Sequence, residues 1–194
     1  MAAPSAPLLV VGLQFCAPHV LLLTLAMKYN GRCTVDDANG AAVLRMEEVS
    51  FFSFRRHYVL VDAAGVPVIS LKAKFGGLSW QVFRGDSHDA GDLLFTATAS
   101  SGGRWPFRGL DVFLAGNTRR GAADFRTKGD FRRSGYFYLG NSDKMIASIC
   151  SISAANQQIP FSCLLNHAFL VNRMKSSGRP VFGVTVMNDV WNMK

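Results

Sequence analysis

Tyr58-Val59-Leu60-Val61-Asp62-Ala63-Ala64-Gly65-Val66-Pro67-Val68-Ile69-Ser70-Leu71 reads as two strands joined by a tight turn. Tyr58–Val61 and Val66–Leu71 are rich in β-branched and aromatic residues, which suit a pleated surface. Asp62 and Gly65 supply the side-chain acceptor and the permissive backbone that a turn needs. Beyond it, Ile69, Leu71, Ala73 and Phe75 fall on one side of an alternating pattern, and Val68, Ser70, Lys72 and Lys74 on the other. A period of two predicts a strand with the first set facing a core and the second facing water.

The same grammar repeats on both sides. Ala38-Asn39-Gly40 separates Thr34–Asp37 from Ala41–Met46, and Asn-Gly between short apolar runs is a strong hairpin signal. Trp80–Phe83 and Leu93–Ala97 flank a polar loop at 84–92. Leu110–Leu114 and Ala123–Arg126 flank 115–121, Gly135–Leu139 and Met145–Ile149 flank 140–144, and Val181–Val186 comes last. This spacing predicts an all-β chain with minor α content, an antiparallel barrel of roughly ten or more strands.

One stretch departs from the rhythm. Phe161, Leu164, Leu165, Ala168 and Phe169 recur at helical spacing after Pro160, which predicts a one-sided amphipathic helix over 160–174. Its polar residues Ser162, Asn166 and His167 predict that it packs on the outside or rim of the barrel.

Composition supports a folded domain. The 194 residues suit one domain, half of them are apolar, and mean hydropathy is +0.16. Glu47 and Glu48 are the sole glutamates, against fifteen Phe and eighteen Gly, which disfavours long solvated helices. The cysteines Cys16, Cys33, Cys150 and Cys163 form no CxxC pair and read as free thiols in a reducing compartment. The apolar runs Leu8–Leu13 and Val20–Ala26 are too short to span a bilayer as helices, so no transmembrane span is expected. The expected location is cytoplasmic, with the plasma-membrane surface or the nucleus as alternatives.

Net charge is +8, which favours anionic partners without choosing among them. The densest basic stretch, Arg108–Arg133, holds seven basic side chains against three acidic ones. Arg126 and Lys128 share a strand face, while the Arg119-Arg120 and Arg132-Arg133 pairs fall in turns. Arginine suits bidentate phosphate contact. The candidate phosphate-binding residues are therefore Lys72, Lys74, Arg119, Arg120, Arg126, Lys128, Arg132 and Arg133. No RNA-reading motif with stacking aromatics is present, so nucleic acid is the less favoured partner.

Catalytic chemistry finds little support. The four histidines are scattered, no G-x-S-x-G turn or P-loop occurs, and adjacent Glu47 and Glu48 would point to opposite strand faces. The loop residues Asp86, His88, Asp89 and Asp92 form a dense group of possible cation ligands. Their spacing is not that of an EF-hand, and turn chemistry accounts for them, so neither metal nor cofactor is expected.

Seven blocks stand in order along the chain: Phe15-Cys16-Ala17-Pro18, Val35–Gly40 with Val43–Met46, Arg55–Val68, Trp80–Gly85, Leu110–Leu114, Asp124–Gly129 and Phe182–Val186. Together they resemble the plant LURP-one-related family, a branch of the tubby-like and scramblase-like barrels. The resemblance runs from about Val10 to Ile149 and resumes near Met174. It implies a closed β-barrel around a buried C-terminal helix, with no catalytic residues. Related folds bind phosphoinositides or act at membranes, and members are linked to plant defence. The implied function is a non-enzymatic membrane-surface, phosphoinositide-binding or signalling module. The alternative is a scaffold that binds signalling proteins or nucleic acid. Two departures are visible: the stretch at about 151–173 is an atypical insertion, and the chain stops where the family's apolar helix would begin. From these the expected interior is partly open, or the barrel incompletely closed.

Overall fold

The computed structural model describes residues 10–12, 15, 19–27, 33–48, 57–74, 79–100, 109–130, 134–151 and 181–186. They form twelve strands: β1 Leu21–Met27, β2 Cys33–Asp36, β3 Ala42–Glu48, β4 His57–Asp62, β5 Pro67–Ala73, β6 Ser79–Arg84, β7 Leu93–Ala99, β8 Leu110–Leu114, β9 Phe125–Asp130, β10 Ser134–Leu139, β11 Met145–Ser151 and β12 Val181–Val186. Every neighbouring pair of strands is antiparallel, and β12 returns to β1, with Leu21 opposite Val186 and Leu25 opposite Phe182. The sheet is a closed barrel. That corrects the expectation of incomplete closure: six paired positions of β1 against β12 seal the seam. The helix expected over 160–174 and the insertion at 151–173 lie largely or wholly outside the described residues. Among those described, helical structure is confined to 3₁₀ turns, at Ala90–Asp92 and at Phe15.

Side chains of directly paired residues share a face, so the register reveals two kinds of row. Tyr58, Leu71, Val82, Phe95 and Leu114 follow one another across β4 to β8. Trp80, Ala97, Val112 and Phe125 do the same from β6 to β9, and Phe137, Ala147, Val186 and Leu21 carry the pattern through the seam. Two of the alternate rows are polar: His57, Lys72, Gln81 and Thr96, then Thr98, Asp111, Arg126 and Tyr138. We assign the apolar rows to the lumen and the polar rows to the exterior, the arrangement that removes the larger apolar area from water.

The β2–β3 and β4–β5 turns use one device twice. Asp37 Oδ1 accepts from the N–H groups of Asn39 (2.9 Å) and Ala41 (2.8 Å). Asp62 Oδ1 accepts from Ala64 (2.9 Å) and Val66 (2.9 Å). Gly40 and Gly65 sit at φ 81° and 85°, a region that other residues enter at a cost. Gly109 meets a different demand: a Cβ there would lie 2.2 Å from the Thr127 carbonyl oxygen.

Two readings of the sequence need correction, and one strand was not anticipated. Ser70, expected to face water, is completely buried, and its hydroxyl donates to the Ser87 carbonyl at 2.8 Å. The 85–92 connection folds back over the exterior row of Val59, Ser70 and Phe83, so those outward positions are covered. The strand expected at Ala123–Arg126 begins instead at Phe125, because Asp124 is spent bracing the preceding turn. And β1 comes from the run at Val20–Ala26, whose unbroken apolar character shows no alternation.

Candidate functional site

Asp124 and Asn117 build the β8–β9 connection. Asp124 Oδ2 accepts from the Leu114 N–H (2.9 Å) and from Asn117 Nδ2 (2.9 Å). The same amide nitrogen donates to the Ala122 carbonyl at 2.7 Å, and Asn117 Oδ1 accepts from the Arg120 N–H at 3.1 Å. Held this way, Arg120 adopts φ 47°, which costs a non-glycine residue about 1–2 kcal/mol. Arg119 and Arg120 are both exposed at this tip.

The next strand carries Arg126 and Lys128 two residues apart on its outer face. Arg126 stands opposite Asp111 on β8 and Tyr138 on β10, and its Nε donates to the Gly140 carbonyl at 2.7 Å. Lys128 is exposed, with Nζ 5.1 Å from the centre of the Tyr138 ring, within cation–π range. Beside them runs a groove of about 360 Å³, bordered by Asp111, Phe113, Ala122, Arg126, Lys128 and Asn141. The turn that bears Arg119 and Arg120 supplies its wall at Gly121–Ala123. The groove offers a guanidinium and an ammonium to an anion, opposed by the one carboxylate of Asp111.

The eight sequence-derived candidates therefore divide. Arg119, Arg120, Arg126 and Lys128 belong to one neighbourhood. Lys72, part-buried on β5, and Lys74, exposed just after it, lie four strands away around the barrel. At about 4.8 Å per strand that is roughly 19 Å along the sheet. Arg132 and Arg133 lie outside the described residues.

The acidic loop also divides. Ser87 Oγ donates to Asp92 Oδ2 at 2.6 Å and accepts from the Asp89 N–H at 3.1 Å, so these residues shape the turn. Asp86 and His88 instead meet His57 at the start of β4. His57 Nε2 is 4.0 Å from Asp86 Oδ1, and the His57 and His88 rings stand edge-to-face with centroids 4.3 Å apart. Burial lowers the His57 pKa, and the nearby His88 and Lys72 push the same way against the upward pull of Asp86. No spacing in the sequence links His57 to a loop 29 residues on; the pairing of His57 with Lys72 and the folded-back loop create the group. Of the cysteines, Cys33 and Cys150 are buried, and Cys16 and Cys163 lie outside the described residues.

No helix among the described residues is long and apolar enough to cross a membrane. The profile of the LURP-one-related family matches residues 21–190. "Protein LURP-one-related 15" of Arabidopsis thaliana is 35% identical over 153 residues, 75% of this chain and 70% of that protein. "Protein LURP1" of the same plant is 32% identical over 151 residues, 74% of this chain and 72% of the relative. An X-ray structure of an Arabidopsis thaliana protein superposes with a TM-score of 0.65 at 29% identity, covering 92% of this chain and 86% of the other. With the barrel, its strand order and these matches in agreement, the chain belongs to the LURP-one-related family.

Proposed function

We propose that this protein is a non-enzymatic signalling module that docks on anionic membrane surfaces by binding phosphate-bearing lipid headgroups. The supporting observation is the groove beside β9, where Arg126 and Lys128 flank a cavity walled by the Arg119-Arg120 turn. Each cation near an anionic leaflet contributes about 1 kcal/mol. Four cations then give about 4 kcal/mol, which on its own corresponds to roughly millimolar affinity. A headgroup with several phosphates that engages the groove itself raises that figure through charge-assisted contacts. In this reading the protein works at the cytoplasmic face of a membrane, in the plant-defence setting that the family resemblance implies.

The test is sedimentation with neutral liposomes, and with liposomes that also contain a phosphoinositide. The expected result is phosphoinositide-dependent binding that an Arg119→Ala/Arg120→Ala/Arg126→Ala/Lys128→Ala variant loses while a Lys74→Ala variant keeps most of it. Equal binding by the quadruple variant and wild type would reject the groove. Capture of nucleic acid with a steep salt dependence and no response to lipid would favour the scaffold reading instead.

A further inference from the structure

We propose that His57, Asp86 and His88 form a zinc site that clamps the β6–β7 connection onto β4. One ligand atom from each residue lies within 4.8 Å of the others. Ser87 sets up the arrangement. Its carbonyl accepts from the buried Ser70 hydroxyl and its own hydroxyl donates to Asp92, so Ser87 is tied down and its neighbours Asp86 and His88 are held beside His57. Phe83 meets the His88 ring edge-to-face at 6.0 Å and limits its orientation.

His57 shows that this group lacks something. Its Nε2 is buried and has no hydrogen-bond partner, and 4.0 Å to Asp86 Oδ1 is too long for a hydrogen bond. A buried nitrogen in that condition carries a desolvation cost that a protein normally offsets with a partner. A metal ion held by Nε2 supplies one.

Two imidazoles and one carboxylate select a borderline cation over magnesium or calcium, which prefer all-oxygen sets. Among borderline cations zinc accepts three protein ligands plus a water. Zinc–ligand bonds of about 2.0–2.2 Å place tetrahedral donors about 3.3 Å apart, so the group must contract. Asp86 and His88 are exposed, and rotation of their side chains supplies that movement. Lys72, opposite His57 on β5, places an ammonium beside the site and opposes any cation there.

The experiment is titration of metal-free protein with Zn²⁺ in competition with a chromophoric chelator, and with Co²⁺ as an optical probe of the ligands. The expected result is one tight equivalent and a cobalt spectrum without a thiolate charge-transfer band, which separates this site from the cysteines. His88→Ala and Asp86→Asn, both in an exposed loop, should weaken binding at least tenfold. Lys72→Ala should tighten it several-fold, and His19→Ala should leave it unchanged. Absence of a zinc equivalent, equal affinity in the His88 and Asp86 variants, or a thiolate signature would each overturn the assignment.

Discussion

Arg126 on β9 is tied to Gly140 in the β10–β11 turn, its Nε donating to that carbonyl at 2.7 Å. The bond fixes the guanidinium at the edge of the groove and braces a turn in which Gly140 sits at φ 52°. One side chain thereby joins the geometry of the candidate site to the stability of the next hairpin. Arg126→Lys keeps the charge and removes the Nε donor. The expected outcome is a loss of about 1 kcal/mol in urea unfolding, with charge-driven membrane binding largely retained.

The repeated aspartate turns make a second prediction. Asp62→Ala removes the acceptor for the Ala64 and Val66 N–H groups, both exposed to water that partly replaces it. A cost of about 1 kcal/mol is expected, and Asp62→Asn, which retains an oxygen, should recover about half. Chemical denaturation of the two variants measures this. No difference between Ala and Asn would show that the oxygen is not what holds the turn.

Thr24 gives a prediction of opposite sign. Its side chain is 3% exposed on β1, and its hydroxyl has no hydrogen-bond partner. Thr24→Val keeps the shape and removes a polar atom whose burial is uncompensated. The variant should be more stable than wild type by about 1 kcal/mol. A less stable variant would reveal a partner for that oxygen.

Cys33 couples stability to alkaline pH. Burial pushes its thiol pKa up, against a smaller lowering from a backbone hydrogen bond with Met46. A group raised in the folded state contributes stability that is complete below its unfolded value, about 8.5, and is lost as pH rises through the folded one. The urea midpoint should therefore fall more steeply above about pH 8.5 in wild type than in Cys33→Ala. Parallel curves would remove Cys33 from the explanation.

The hairpins were legible because their chemistry is local. Asp62 and Gly65, or Asn39 and Gly40, announce a turn within four residues, and the alternation around Ile69 and Leu71 gives the apolar face of β5 directly. Strand β1 was hidden because Leu21-Leu22-Leu23-Thr24-Leu25 has no alternation to read. Ser70 was misplaced because the covering loop is 17 residues away, and strand periodicity carries no information about loops. The same limit applies to the candidate sites. Arg126 and Lys128 share a face by simple spacing, whereas the separation of Lys72 from them, and the meeting of His57 with Asp86 and His88, depend on strand order around the barrel.

The seam between β1 and β12 sets a schedule for synthesis. Leu21 leaves the ribosome early, yet its neighbour Val186 is added only after most of the chain. At 5–20 residues per second the first strand waits roughly 10–30 s for its last partner. Throughout that interval β1 and the growing end of the sheet present unpaired N–H and C=O groups beside an apolar face, the template on which chains pair with one another. A nascent barrel of this kind places its greatest demand on chaperones just before completion, and translation that stalls before Val181 should yield aggregates rather than a shortened but usable protein.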